Sequence, residues 1–185
     1  MLDTAQDLQR YVGYFESVEA YLQAAIFAET NELEYRKIIV GYEQAGEMMS
    51  IVDASQAIVC IQSAIDICVK HGDINVAIQK CMEYGYKIFK STKDKQKRDE
   101  FWDQGKRLRV EHKIPHSCVI TKFEERKYYF DCQKVKEDIR KFNVEEEIDG
   151  RVIIKHKSLC RKCIGPYNQL CDYFDEIAEE YHKYL

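Results

Sequence analysis

Apolar residues recur along this chain every three to four positions, the pattern of amphipathic α-helices. The clearest stretch runs from Asp53 to Thr92. Ala57, Ile61, Ala64 and Cys68 fall on one helical face with Ile58 and Ile65 beside them. Asp53 with Gln56 reads as a capping box at the start of that helix, and His71-Gly72 as its stop. The next helix follows almost without a loop, and Ile74, Ala77, Ile78, Cys81, Gly85, Ile88 and Phe89 form its stripe. So short a connection predicts an antiparallel hairpin. Ala57, Ala64, Ala77 and Gly85 are small, so the axes can approach closely.

Upstream, Asn31 with Glu34 reads as another capping box, opening a helix to about Ser50 that carries Ile38, Ile39, Tyr42, Ala45, Met48 and Met49. Leu8, Tyr11, Val12, Phe15, Val18, Leu22, Ala25 and Ile26 extend the helical period back towards the start. Helix starts near Asn31, Asp53 and Asp73 lie 22 and 20 residues apart, which suggests a helix-pair repeat. The beat changes after Lys93. A highly charged stretch to Lys113 holds Phe101, Trp102, Leu108 and Val110 as anchors, and Ile114-Pro115 marks a break. The pattern then predicts a helix from Ser117 to Phe142, with Asn143 and Glu146 capping another. Asp149-Gly150 before Arg151-Val-Ile-Ile-Lys155 fits a strand equally well. Gly165-Pro166 punctuates again before a final helix over residues 167–185. The division expected is a repeat region, 1–114, and a less regular helical region, 115–185.

Composition narrows the class. Of 185 residues, 45% are hydrophobic and 12% aromatic, enough to build a core and too many for a disordered chain. Eight glycines and two prolines are too few turn residues for an all-β domain of this length. No window reads as a membrane span and no basic-then-apolar leader is present, so the expected compartment is the cytoplasm, with at most peripheral membrane association. A net charge of −4 argues against a nucleic-acid binder. In that compartment the eight cysteines are expected to be reduced.

The run Tyr42-Glu-Gln-Ala-Gly46, then Met48, Ala57, Ile61, Ala64, Gly72-Asp73 and Ala77, has the small-residue spacing of tetratricopeptide repeats. It resembles the middle repeats of the soluble NSF attachment proteins (SNAPs), the gamma form most closely, over about residues 14 to 92. The resemblance implies an all-α, tetratricopeptide-like solenoid of antiparallel helical hairpins. It also implies an adaptor in vesicle fusion and protein transport, without catalytic residues or cofactors, that binds SNARE bundles on a basic face and recruits an NSF-type ATPase through its C-terminal end. Two departures stand out: the chain starts too late for the family's membrane-touching N-terminal hairpin, and the alanine-rich signature fades after Lys93.

Three groups of residues are candidates for function. Lys95, Lys97, Arg98, Arg107 and Arg109 form a basic surface that could grip an acidic helical bundle, or a solvated helix face laced by pairs such as Asp103 and Arg107. Asp175, Glu176, Glu179, Glu180 and Leu185 form an acidic C-terminal end that resembles in character the SNAP end engaging NSF, or else the wet side of a terminal helix. His156, Cys160, Cys163 and Cys171 have soft ligands for tetrahedral zinc, although on a continuous helix the first three would simply share a face. His116 and Cys118, two residues apart, diverge on a helix and could meet only in a loop, and no motif for catalysis accompanies them. The expectation is therefore a binding protein without enzymatic activity or bound cofactor. The alternative is a helical scaffold unrelated to fusion, stapled by zinc through Cys160 and Cys163.

Overall fold

Seven α-helices and one β-hairpin follow one another in the computed structural model, which describes the backbone of residues 2–51 and 53–183 and the side chains of residues 13–51 and 53–179. The chain divides into two compact units, Met1–Asp73 and Ile74–Leu185, so Pro115 lies inside the second. Among the described residues no helix is long and apolar enough to cross a membrane.

In the first unit, α1 (Leu2–Thr30), α2 (Tyr35–Met49) and α3 (Ala54–Lys70) pack in succession, each on the next. The sequence stripes supply the core: Ile38, Ile39 and Ala45 of α2 and Ala57, Ile61, Ala64 and Cys68 of α3 are buried. Small residues set how close the helices come. A Cβ on Gly41 would lie 2.9 Å from that of Ala25, and one on Gly46 would lie 3.0 Å from Ile61 Cγ1. Val18 and Ala25 of α1 are buried, whereas Phe15 and Ile26 are exposed. Leu8, Tyr11 and Val12 fall outside the described side chains.

The cap expected at Asp53 forms, its carboxylate accepting from the amides of Ser55 at 2.8 Å and Gln56 at 3.2 Å. At the other end of α3, Gly72 takes φ +80°, and the amide of Asp73 returns to the Cys68 carbonyl at 2.9 Å. The Asn31 capping box does not form. Asn31 Nδ2 instead donates back to the Phe27 carbonyl, and α2 starts after Glu34 with no side-chain cap. The Asn31 backbone amide and side chain both donate to that one carbonyl, which holds the side chain on the end of α1 and away from α2.

In the second unit, α4 (Ile74–Thr92) and α5 (Lys95–Glu111) form a tight hairpin. Asp94 caps α5 by accepting from the Lys97 amide. Two glycines let the helices touch: Trp102 lies where a side chain on Gly85 would be, and Met82 where one on Gly105 would be. The buried indole donates from Nε1 to the Met82 carbonyl at 3.1 Å.

Ser117 to Phe142 is not the single helix its pattern suggests. Residues 114–124 are irregular, Glu125–Lys127 is a 3-10 turn, and helix resumes only in α6 (Cys132–Arg140), capped by Asp131. Tyr129 and Phe130 take φ of 48° and 60°, which no continuous right-handed helix contains. Asn143 opens no helix either. It begins β1 (Asn143–Ile148), which pairs antiparallel with β2 (Arg151–Lys157). Asp149 and Gly150 between them both have positive φ, 52° and 72°, as a type I′ turn requires, and this local hairpin outweighs the helix preference of the glutamate run.

The helix α7 (Ile164–Lys183) starts before Gly165-Pro166, because proline in a first turn lacks only an amide that has no helical partner. Its residues Tyr167, Leu170, Tyr173 and Ile177 close a core with Tyr128, Val135, Phe142 and Leu159. The buried Asp138 is satisfied within that core by Tyr128 Oη at 2.9 Å, Lys127 Nζ at 3.1 Å and Lys141 Nζ at 2.6 Å.

Candidate metal centre

Two chain segments meet at one point of the second unit. The first leaves α5 through a reversal in which Lys113 has φ 54° and the Ile114 amide returns to the Arg109 carbonyl at 3.0 Å. Pro115 then holds Ile114 out of the helical region, so the chain runs on through His116 and Cys118 without helical structure. The second is the bend between β2 and α7, where the amides of Cys163 and Ile164 both reach the Cys160 carbonyl, at 3.1 and 2.9 Å.

There one ligand atom from each of His116, Cys118, Cys160 and Cys163 lies within 4.8 Å of all the others. Cys118 Sγ is 3.4 Å from Cys160 Sγ and 3.8 Å from His116 Nε2, and Cys163 Sγ is 3.5 Å from Cys160 Sγ. A tetrahedron with metal–sulfur bonds of about 2.3 Å has edges of about 3.8 Å, so these spacings are close to those of ligands around one ion. Cys163 is buried, His116 and Cys160 are half-buried and Cys118 is exposed. His116 Nδ1 is 3.0 Å from Ser158 Oγ, which leaves Nε2 turned to the sulfurs. An imidazole bound through Nε2 carries its proton on Nδ1, and Ser158 is placed to accept it.

Backbone amides supply further polarity. The Cys160 amide points at Cys163 Sγ at 3.1 Å, and the Lys162 amide at Cys160 Sγ at 3.4 Å. Cys160 is the thiol drawn towards ionisation, its pKa pulled down by the hydrogen bond from Cys163 and then by the Lys162 amide, against the cost of burial. Cys163 moves the opposite way, because it donates to Cys160 and is buried. Cys118 is also raised, through its hydrogen bond with Cys160 and then burial. The three sulfurs thus share charge as one unit.

Only half of the ligand set expected from sequence is brought together. Cys160 and Cys163 are in the cluster. His156 lies on β2 and lines an open cleft of about 230 Å³ with Arg109, Ile114, Pro115 and Val144. Burial, then Arg109 and Lys155, push its pKa down. Cys171 is on α7 beside Tyr167, with burial pushing its thiol up. The reason is the break at residues 158–163: His156 to Cys171 is strand, bend and helix in turn, so the spacing of one helix does not apply. His116 and Cys118 take the vacant roles. In extended chain, residues two apart face the same side, so His-x-Cys joined to Cys-x2-Cys was the available signal once the segment after Pro115 is read as non-helical.

The basic residues of α5 do not form one outward face. Lys95 and Arg107 are exposed, while Lys97 pairs with Glu100 at 2.8 Å. Arg98 lies 4.7 Å from each of the Phe89 and Trp102 rings and pairs with Asp99, and Arg109 turns inward to the Leu159 carbonyl. Asp103 lies 3.9 Å from Arg161. Asp175, Glu176 and Glu179 are exposed on α7; the Glu180 side chain and Leu185 lie outside the described residues. No protein-family model, no curated protein and no solved structure matches this chain.

Proposed function

We propose that this chain is a helical interaction scaffold whose second unit is stapled by a structural divalent metal ion, with zinc the ion its ligands favour. The observation that carries the reading is the convergence of His116-x-Cys118 with Cys160-x2-Cys163, Cys118 and Cys160 being 42 residues apart. Three sulfurs and an imidazole suit zinc and reject the hard ions calcium and magnesium. Four protein ligands fill a tetrahedron and leave no position for water, which supports a role in folding rather than in hydrolysis. The metal's binding energy would then be folding energy for a segment that has only a two-stranded hairpin and short helices of its own. The test is elemental analysis of chelator-washed protein after zinc is restored. About one zinc per chain is expected, and none overturns the reading.

A second reading concerns the first unit. Its three successively packed helices, with Gly41 against Ala25 and Gly46 against Ile61, support a repeat-type scaffold, and with the resemblance over residues 14 to 92 a SNAP-like adaptor. Co-purification of SNARE proteins and an NSF-type ATPase from cytosol tests it. Their absence from a pull-down that retains other specific partners leaves the scaffold and removes the fusion role.

A further inference from the structure

Arg109 belongs by sequence to a basic run, yet its side chain is turned away from that run. The guanidinium is half-buried, and its Nη2 donates to the Leu159 carbonyl at 2.7 Å, immediately before Cys160. Among the described residues no carboxylate pairs with it; burial pushes its pKa down, and Cys160, Cys163 and Cys118, the three sulfurs of the cluster, push back only in part. A half-buried cation without an anion is costly. With no ion bound, Cys160 alone is drawn towards ionisation and is the one anionic partner the guanidinium has. Three thiolates around a divalent ion leave one net negative charge, which one guanidinium neutralises.

We propose that Arg109 is the built-in counter-charge of a tri-thiolate, single-imidazole centre, matched to a divalent ion, and that its bond to Leu159 fixes the bend presenting Cys160. This rests on the metal reading above and adds to it which neighbouring residue sets the affinity and why. Lys162 is a second cation beside Cys118, but it is exposed to water, whereas Arg109 is half-buried and held against the Cys160 bend. Arg109 acts through the ligands and is a positioning residue, so its removal lowers affinity while leaving the ligand set intact.

The experiment is a chelator competition with Zn²⁺ on the full chain, comparing wild type with Arg109→Gln and Arg109→Lys, and with Co²⁺ absorption to report the ligand set. Arg109→Gln should bind about tenfold to a hundredfold more weakly, the range for lost outer partners of metal ligands, with the Co²⁺ spectrum keeping its shape. Arg109→Lys, which keeps the charge, should recover most of the affinity. Wild-type affinity in Arg109→Gln overturns the proposal alone, as does equal weakening in both variants, which would reduce Arg109 to its hydrogen bond. Should Arg109→Gln not fold, Arg109→Lys decides: near-wild-type affinity supports the counter-charge and a hundredfold loss overturns it. A wild type that takes up neither ion overturns the metal reading, and this proposal with it.

Discussion

Gly85→Ala should destabilise the second unit, although alanine is the better helix former. In α4 the new methyl would lie 2.7 Å from Trp102 Cδ1, 2.8 Å from Trp102 Nε1 and 3.1 Å from the Arg98 carbonyl. The indole is not a flexible tip that swings clear, because it is buried and its Nε1 donates to the Met82 carbonyl. Forcing it aside costs about 1–3 kcal/mol in overpacking. Losing or bending its hydrogen bond adds about 1 kcal/mol, and the helix preference of alanine returns about 1 kcal/mol. The net expectation is a loss of about 1–3 kcal/mol. Trp102 is the chain's single tryptophan, so urea unfolding followed by its fluorescence reports on this contact directly. Gly13→Ala in α1 is the matched control, since nothing lies within 4 Å of the position its Cβ would take, and there the same change should be neutral or mildly stabilising. Equal or greater stability in Gly85→Ala, with an unshifted emission maximum, would refute the close approach of α4 and α5.

Other perturbations separate the parts of the account. His116→Ala and Cys118→Ser should each abolish stoichiometric zinc uptake, whereas His156→Ala and Cys171→Ser should retain it; the reverse pattern would restore the ligand set expected from sequence. Burial alone would raise the Asp138 carboxyl, but its hydrogen bonds to Lys141, Lys127 and Tyr128 outweigh burial and hold it down to about 2. A carboxyl with a depressed pKa stabilises fully above its unfolded value, so a contribution of about 2 kcal/mol is lost as pH falls from about 4 through about 2. Asp138→Asn should therefore be less stable at neutral pH and lose less on acidification, and an acid titration parallel to wild type counts against it. Tyr35 Oη donates to Asp73 Oδ2 at 2.5 Å and its ring stacks on His71, tying the start of α2 to the end of α3. Tyr35→Phe should cost about 1 kcal/mol in thermal or urea unfolding, and no change would mean that solvent replaces the bond without loss.

Much of the fold was legible as helix stripes and caps, whereas the short α3–α4 connection, expected to close a hairpin, is where the two units divide. The stripes through Ile38, Ala57, Ala64, Ala77 and Cys81 are core, and Asp53 and Gly72 mark the ends they were expected to mark. Those signals are local, a period and a cap, and the packing rewards them. The second half was less legible because long-range contacts overrule its local preferences. Lys127 to Lys141 has helical composition, but Asp138 draws Lys127 and Tyr128 onto itself from eleven and ten residues away. The glutamates of β1 follow their hairpin partner. The metal-type cluster was half visible, in Cys160-x2-Cys163. Its other half depended on a loop whose shape is set by Pro115 and by a chain segment 42 residues further on, which no period reports. Arg109 shows the same limit from the other side, since composition counts its charge but not which way it points.

The most direct test of the central claim is a Co²⁺ titration of the chelator-washed full chain, followed by visible and near-ultraviolet absorption. The account predicts saturation at about one equivalent, with the d–d bands of a tetrahedral site and charge-transfer intensity from three thiolates, and displacement by zinc. A weak octahedral spectrum, or no saturation while Cys118 and Cys160 stay open to alkylation, would contradict it.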